Sequence, residues 1–238
     1  MVTTKEFKSL FMKTATYHHR YKVWNDFVLM SGIAIHNAIP SQHNEDLEKH
    51  YMNVVGQYKS EDVWNIKELF HMLVDLCAHS IDDHLGKLYM ELEISNSHMG
   101  QYFTPFNLSV LASKLTFDEK EIKSRGYVTM HEPSIGSGGM VLALAKVMSE
   151  KGHNYQRSLY AHGIDLDPTA AWMCYLQLSL YGIPAEVNIG NTLTLSLNRK
   201  MYTPMHFIGG WGNEVVSYYD QVEKVKLLTT PLQQLSLM

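Results

Sequence analysis

Apolar residues in the first 95 positions recur at intervals of three and four. Tyr21, Trp24, Phe27 and Val28 form one such set. Val63, Ile66, Leu69, Phe70, Leu73, Leu76 and Cys77 form a second. This is the period of a helix that buries one face. Ser60 is expected to cap the second helix, with Glu61 and Asp62 in the first turn, where the helix dipole favours acids. The stretch from Ala38 to Asn44 breaks the pattern and reads as a loop. No glycine-rich linker follows, so the helical part is expected to pack on what comes next. Thr104-Pro105 reads as a cap and first residue of another helix, with Leu108, Leu111, Ala112 and Leu115 as its apolar face.

Beyond residue 126 the pattern changes. Tyr127 to Met130 reads as a buried strand and Met140 to Met148 as a helix. Ser158 to Ile164 reads as a second strand, Pro168 to Tyr181 as a helix ending at Gly182, and Ala185 to Ile189 as a third strand. Strands alternating with helices imply a parallel sheet with right-handed crossovers. The expected organisation is an α-helical domain over 1–95 and a Rossmann-like α/β domain over 96–238. Only about 45 residues follow Asn191, so an abbreviated sheet is expected, with Val222 to Thr230 as a further strand.

Bulk properties narrow the function classes. The chain has 238 residues, 45% hydrophobic and 18% charged, which fits a globular protein rather than a disordered one. A net charge of −4 gives no electrostatic support for tight DNA binding by the chain alone. No apolar run reaches the roughly 20 residues of a membrane span, and no signal peptide is evident, so a cytoplasmic location is expected. Cys77 and Cys174 read as buried thiols. His18, His19, His79 and His84 lack a convergent third ligand, and no metal is expected.

The candidate chemistry lies at the ends of the expected strands. Glu132-Pro133-Ser134-Ile135-Gly136-Ser137-Gly138-Gly139 forms a Gly-rich turn between strand and helix, where backbone can approach a ligand. Asp165 ends the second strand, where a carboxylate can accept both hydroxyls of a ribose. The dinucleotide pattern Gly-x-Gly-x-x-Gly fails, because its third place falls on Val141. No Lys-Ser or Lys-Thr pair closes a phosphate loop. S-adenosylmethionine is the remaining common user of this arrangement.

The turn resembles the cofactor motif of adenine-specific DNA methyltransferases of the type I restriction-modification class. Gly100-Gln101-Tyr102-Phe103-Thr104-Pro105 resembles the motif those enzymes place before the cofactor domain. Gly163-Ile164-Asp165-Leu166-Asp167 resembles their ribose-binding segment, and Gly190-Asn191-Thr192-Leu193 the turn that meets the adenine ring. The resemblance covers roughly residues 96 to 195. It implies a Rossmann-like S-adenosylmethionine-dependent methyltransferase. Tyr102, Thr104, Pro105, Glu132, Ser134, Gly136, Gly138, Asp165, Leu166 and Asn191 would contact the cofactor. It also implies DNA as substrate, with a specificity subunit as partner and a homo- or hetero-oligomer as the assembly.

One motif departs from the family. The Asn/Asp-Pro-Pro-Phe/Tyr segment that holds the target amine and stacks on the flipped base has no counterpart, since no Pro-Pro dipeptide occurs. Met205-His206-Phe207-Ile208-Gly209-Gly210-Trp211-Gly212 stands in its place, with Trp211 as the candidate stacking ring. Two readings therefore stand: a methyltransferase of this class, or a degenerate subunit that binds cofactor or a partner without chemistry.

Overall fold

The computed structural model describes residues 2–94, 103–194 and 196–217, with Asp220, Gln221 and Lys224. Five helices come first: α1 (Thr4–Lys13), α2 (Arg20–Asn37), α3 (Glu45–Val55), α4 (Ser60–His79) and α5 (His84–Glu91). Two more, α6 (Phe106–Thr116) and α7 (Lys120–Arg125), lead into strand β1 (Val128–Glu132). Then come α8 (Gly139–Glu150), α9 (Tyr155–Ser158), β2 (Leu159–Asp165), α10 (Pro168–Leu180), β3 (Ala185–Asn191), β4 (Ser196–Tyr202) and α11 (Pro204–Ile208).

The sheet has the order β1-β2-β3-β4. The first three strands are parallel, as the alternation of strands and helices implies. The fourth is antiparallel to β3, with a register shift between Ile189 and Gly190. The sequence reading missed β4. Its buried residues, Leu197 and Met201, are separated on the same side by half-buried Arg199, which hides the alternation. β1 is also less enclosed than expected: only Val128 is buried, because the strand lies at one end of the sheet order. The expected strand at Val222 to Thr230 lies outside the described residues except for Lys224.

Helix ends follow local chemistry. Thr3 and Glu6 form a reciprocal capping box on α1. The Asp167 carboxylate accepts from Thr169 N–H at 2.9 Å and caps α10, whose Pro168 needs no partner. Gly182, with φ +66°, carries the chain out of that helix. Ser60 is not the cap of α4; it is the first helical residue, after Lys59. Thr104 is likewise no cap, since α6 begins at Phe106 after Pro105 and no side chain caps it.

α6 also turns a different face inward from the one its leucines suggest. Phe106, Ser109 and Ser113 are buried, whereas Leu108, Leu111 and Leu115 are 52%, 54% and 79% exposed. Small hydroxyl side chains on the inner face allow close packing on α8.

One apolar core runs through the whole described chain. It starts at Phe7, Trp24 and Phe27, continues through Leu69 and Leu88, and reaches Trp172, Val187 and Met201. The helical part thus packs on the sheet through α2 and α10. Cys77 and Cys174 are buried free thiols within this core.

Candidate functional site

The parallel strands β1, β2 and β3 all end on one side of the sheet, which places Glu132, Asp165 and Asn191 at its C-terminal rim. The turn after β1 is folded by a few specific contacts. Ile135 N–H donates to the Ile164 carbonyl at 2.8 Å, so the turn is stitched to the end of β2. Gly163 makes this possible: a Cβ there would stand 2.0 Å from Ile135 Cδ1. Gly136 and Gly138 have φ of +58° and +91°, where a side chain is costly.

Asp165 is 8% exposed and its carboxylate is already oriented. Oδ2 accepts from Gly136 N–H at 2.8 Å and Oδ1 from Asp167 N–H at 2.9 Å. A carboxylate offers about four acceptor positions, so two remain. Burial pushes its pKa above the ordinary value, while the amides of Asp167 and Gly136 pull it down.

A cavity of about 710 Å³ opens over this turn. Its wall includes Phe103, Thr104, Ser134, Gly136, Asp165 and Leu166. Five of the ten expected cofactor residues therefore share one cavity. Among the described residues its ionisable lining groups are Asp83, Asp165 and Asp167, with no Lys, Arg or His. A pyrophosphate would be repelled by three carboxylates; a ligand bearing a sulfonium cation suits them. Leu166 and Leu193 are 68% and 95% exposed just beyond β2 and β3, and Leu166 lines the cavity.

The other expected residues take different places. Tyr102 lies outside the described residues. Pro105 lines an adjoining cavity against α5. The Glu132 carboxylate accepts from Ser134 N–H at 3.3 Å and so braces the turn. Gly138 packs against α10, where a Cβ would stand 3.2 Å from Cys174 Sγ. Asn191 Oδ1 is already used by the turn after β3: it accepts from Leu193 N–H at 2.9 Å and Thr194 N–H at 3.2 Å. Only its amide NH₂ remains for a ligand. Asp83, by contrast, lines the cavity, a place the sequence did not suggest: its spacing from His79 reads as one helix face, whereas one helix ends at His79 and Asp83 caps the next.

Trp211 needs correction. Its ring is 5% exposed and packs edge-on to Tyr127 at 5.1 Å and against Tyr160 at 5.3 Å. Tyr160 lies at the N-terminal end of β2, five residues from Asp165, or roughly 17 Å along the strand. A base stacked on Trp211 would be on the wrong side of the sheet from the cofactor turn. Tyr160 O–H and His206 Nδ1 share a hydrogen bond of 2.7 Å beside it, and Tyr202 stacks on His206 at 4.1 Å. The segment Met205–Gly212 therefore belongs to an aromatic cluster that closes the lower end of the sheet.

A Gly-rich turn between parallel strand and helix, tied to an acid on the next strand, defines a Rossmann-like domain for a nucleoside-type cofactor. The chain belongs to the N-6 DNA methylase family, whose sequence pattern matches residues 81–209, more than half of its length. S-adenosylmethionine is the cofactor that this membership brings. Among solved structures, one described as a class I S-adenosylmethionine-dependent methyltransferase of Listeria monocytogenes is similar over 76% of this chain, at 10% identity and a TM-score of 0.42. The chain spans 51% of that structure's length. No curated protein matches the chain. No helix among the described residues is long and apolar enough to cross a membrane.

Proposed function

We propose that this chain binds S-adenosylmethionine over the Gly136 turn and acts as the cofactor-binding part of an adenine-specific DNA methyltransferase. The helical part is taken as 1–95 and the cofactor part as 96–238. The observation that carries the reading is the Asp165 carboxylate, held by Gly136 N–H and Asp167 N–H with two acceptor positions left over the cavity.

The cofactor supplies a methyl group already activated on sulfonium, so the chain's residues bind and orient rather than activate. Asp165 would hold the ribose hydroxyls. Leu166 and Leu193 would flank the purine. Thr104 and the Ser134–Gly136 backbone would meet the methionine end. The three carboxylates keep the local potential negative around the positive charge.

The acceptor side is a different matter. With Trp211 buried at the far end of the sheet and no Pro-Pro dipeptide in the chain, the target-amine groups of the family have no counterpart in Met205–Gly212. We infer that methyl transfer to adenine in DNA, in the cytoplasm, is completed by a specificity subunit or further copies of the chain. Calorimetry with S-adenosylmethionine tests the cofactor reading, with micromolar affinity expected, about −8 kcal/mol. No heat and no thermal shift at millimolar ligand would overturn it. Transfer of labelled methyl to DNA adenine, with and without a candidate specificity subunit, tests the rest.

A further inference from the structure

The cavity wall holds one carboxylate to which the cofactor reading gives no direct contact with the ligand. Asp83 precedes α5 in the helical part of the chain and is 3% exposed. It makes no ion pair among the described residues, yet its oxygens are well used. Oδ2 accepts from Ser137 Oγ–H at 2.6 Å. Oδ1 accepts from Gly86 N–H and from Gln177 Nε2–H, both at 2.9 Å. Gln177 completes the unit: Nε2 also donates to the Ser137 carbonyl at 2.8 Å, and Oε1 accepts from Leu85 N–H at 3.0 Å.

The backbone is cut to fit this arrangement. A Cβ at Gly86 would stand 2.1 Å from Asp83 Oδ2 and 2.6 Å from Ser137 Oγ. A Cβ at Gly139 would stand 3.1 Å from the same Asp83 oxygen. Ser137 lies between the two positive-φ glycines, the freest backbone in the turn. It is held at its side chain by Asp83 and at its carbonyl by Gln177.

We propose that Asp83 is a positioning residue of the cofactor site. It fixes Ser137, and through it the Gly136–Gly139 turn, in the conformation that meets the ligand. The helical part of the chain is then a component of the cofactor pocket. Hydrogen bonds to a charged acceptor are the strong ones, and a turn ordered before binding loses less freedom on binding. This inference rests on the cofactor reading above.

The test uses the full chain and four variants: Asp83→Asn, Ser137→Ala, their double, and Asp165→Ala as a control. Affinity for S-adenosylmethionine is read by calorimetry, and amide hydrogen exchange over residues 134–139 is read without ligand. Asp83→Asn and Ser137→Ala should each weaken binding by about tenfold or more. The double variant should lose little beyond the weaker single, because both changes break one unit. Exchange should quicken at 134–139 by more than any change in α1 and α4. If Asp83→Asn does not fold, Ser137→Ala, which removes one hydroxyl, decides the question. Wild-type affinity in Ser137→Ala and Asp83→Asn, with Asp165→Ala impaired, overturns this proposal alone. Faster exchange spread equally over α1 and α4 also overturns it. If the unaltered chain binds no cofactor, the cofactor reading falls and this inference falls with it.

Discussion

Gly136 N–H and Asp165 Oδ2 are 2.8 Å apart, so the turn that follows β1 and the acid that ends β2 form one piece. Removing the acid removes two things at once: the ribose acceptor and the brace that shapes the turn. Asp165→Ala should weaken S-adenosylmethionine binding at least tenfold, because each charge-assisted bond is worth about 1.5–3 kcal/mol. Unchanged affinity by calorimetry would move the ribose site elsewhere.

The same carboxyl gives the site a pH dependence. Its folded pKa lies above the ordinary 3.8, chiefly through burial. Its contribution to folding stability is therefore greatest in acid and is lost as pH rises through that pKa. Cofactor affinity runs the opposite way, since the ionised form accepts the hydroxyls. Affinity should begin to fall on acidification at a pH above 3.8. Asp165→Asn should flatten that profile; a profile identical in both proteins would assign the effect to another group.

Trp211→Ala should be a stability variant, not a cofactor variant. The indole is wedged between Tyr127 and Tyr160. Its loss should cost about 3–5 kcal/mol, as for large aromatic-to-Ala changes in cores. Urea titration reads that loss. Trp211→Phe, which keeps most of the packing, should retain full cofactor affinity. A marked drop in affinity for Trp211→Phe at unchanged stability would restore Trp211 to the site.

Acid should destabilise the fold through His162. Burial, with His131 and His206 adding to it, lowers its pKa to about 3. A lowered histidine leaves stability intact above the unfolded value near 6.5 and erodes it as pH falls toward 3. The slope from this one group approaches about 1.4 kcal/mol per pH unit. His36, His84, His131 and His206 shift in the same direction, each chiefly through burial. Melting temperature should drop steadily between pH 7 and 5; a flat profile would contradict the burial of these rings.

Gly163→Ala should damage the turn from a distance. The new methyl would meet Ile135 Cδ1 at 2.0 Å, and Ile135 is bonded to the strand only one residue from Gly136. Overpacking of this kind costs about 1–3 kcal/mol. Weaker cofactor binding should accompany the loss of stability, and Ile135→Val in the same chain should recover part of both. No rescue would mean that the clash is not chiefly with Ile135 Cδ1, since valine keeps the Cβ and Cγ1 that lie 3.0 Å from the new methyl.

The parts of the fold most legible in sequence were those governed by short-range rules. The Gly-rich turn, Asp165 at a strand end and the Asp167-Pro168 helix start each announce themselves within a few residues. β4 did not, because an arginine occupies the middle of its inward-facing row. α6 misled for the opposite reason: its leucines make a good apolar stripe, but close packing on α8 selects Ser109 and Ser113 for the inside. Trp211 was placed by motif order alone, and motif order does not say which end of a sheet a segment covers. The place of Asp83 in the cavity was not legible because two of its three partners, Ser137 and Gln177, are distant in sequence, and the local one, Gly86, marks only a helix start.

Gly32 lies against the indole of Trp172, so closely that a Cβ would stand 2.4 Å from the ring. Contact of that intimacy, within a core that runs from Phe7 to Met201, leaves no seam at which the chain could melt in two stages. Unfolding should be a single cooperative transition. A ligand seated on the Gly136 turn would then protect α1, far from it in the sequence, against global unfolding, in addition to damping local opening of the turn itself. At a concentration of one hundred times its dissociation constant that protection amounts to about 2.7 kcal/mol, shared by every residue that melts with the core.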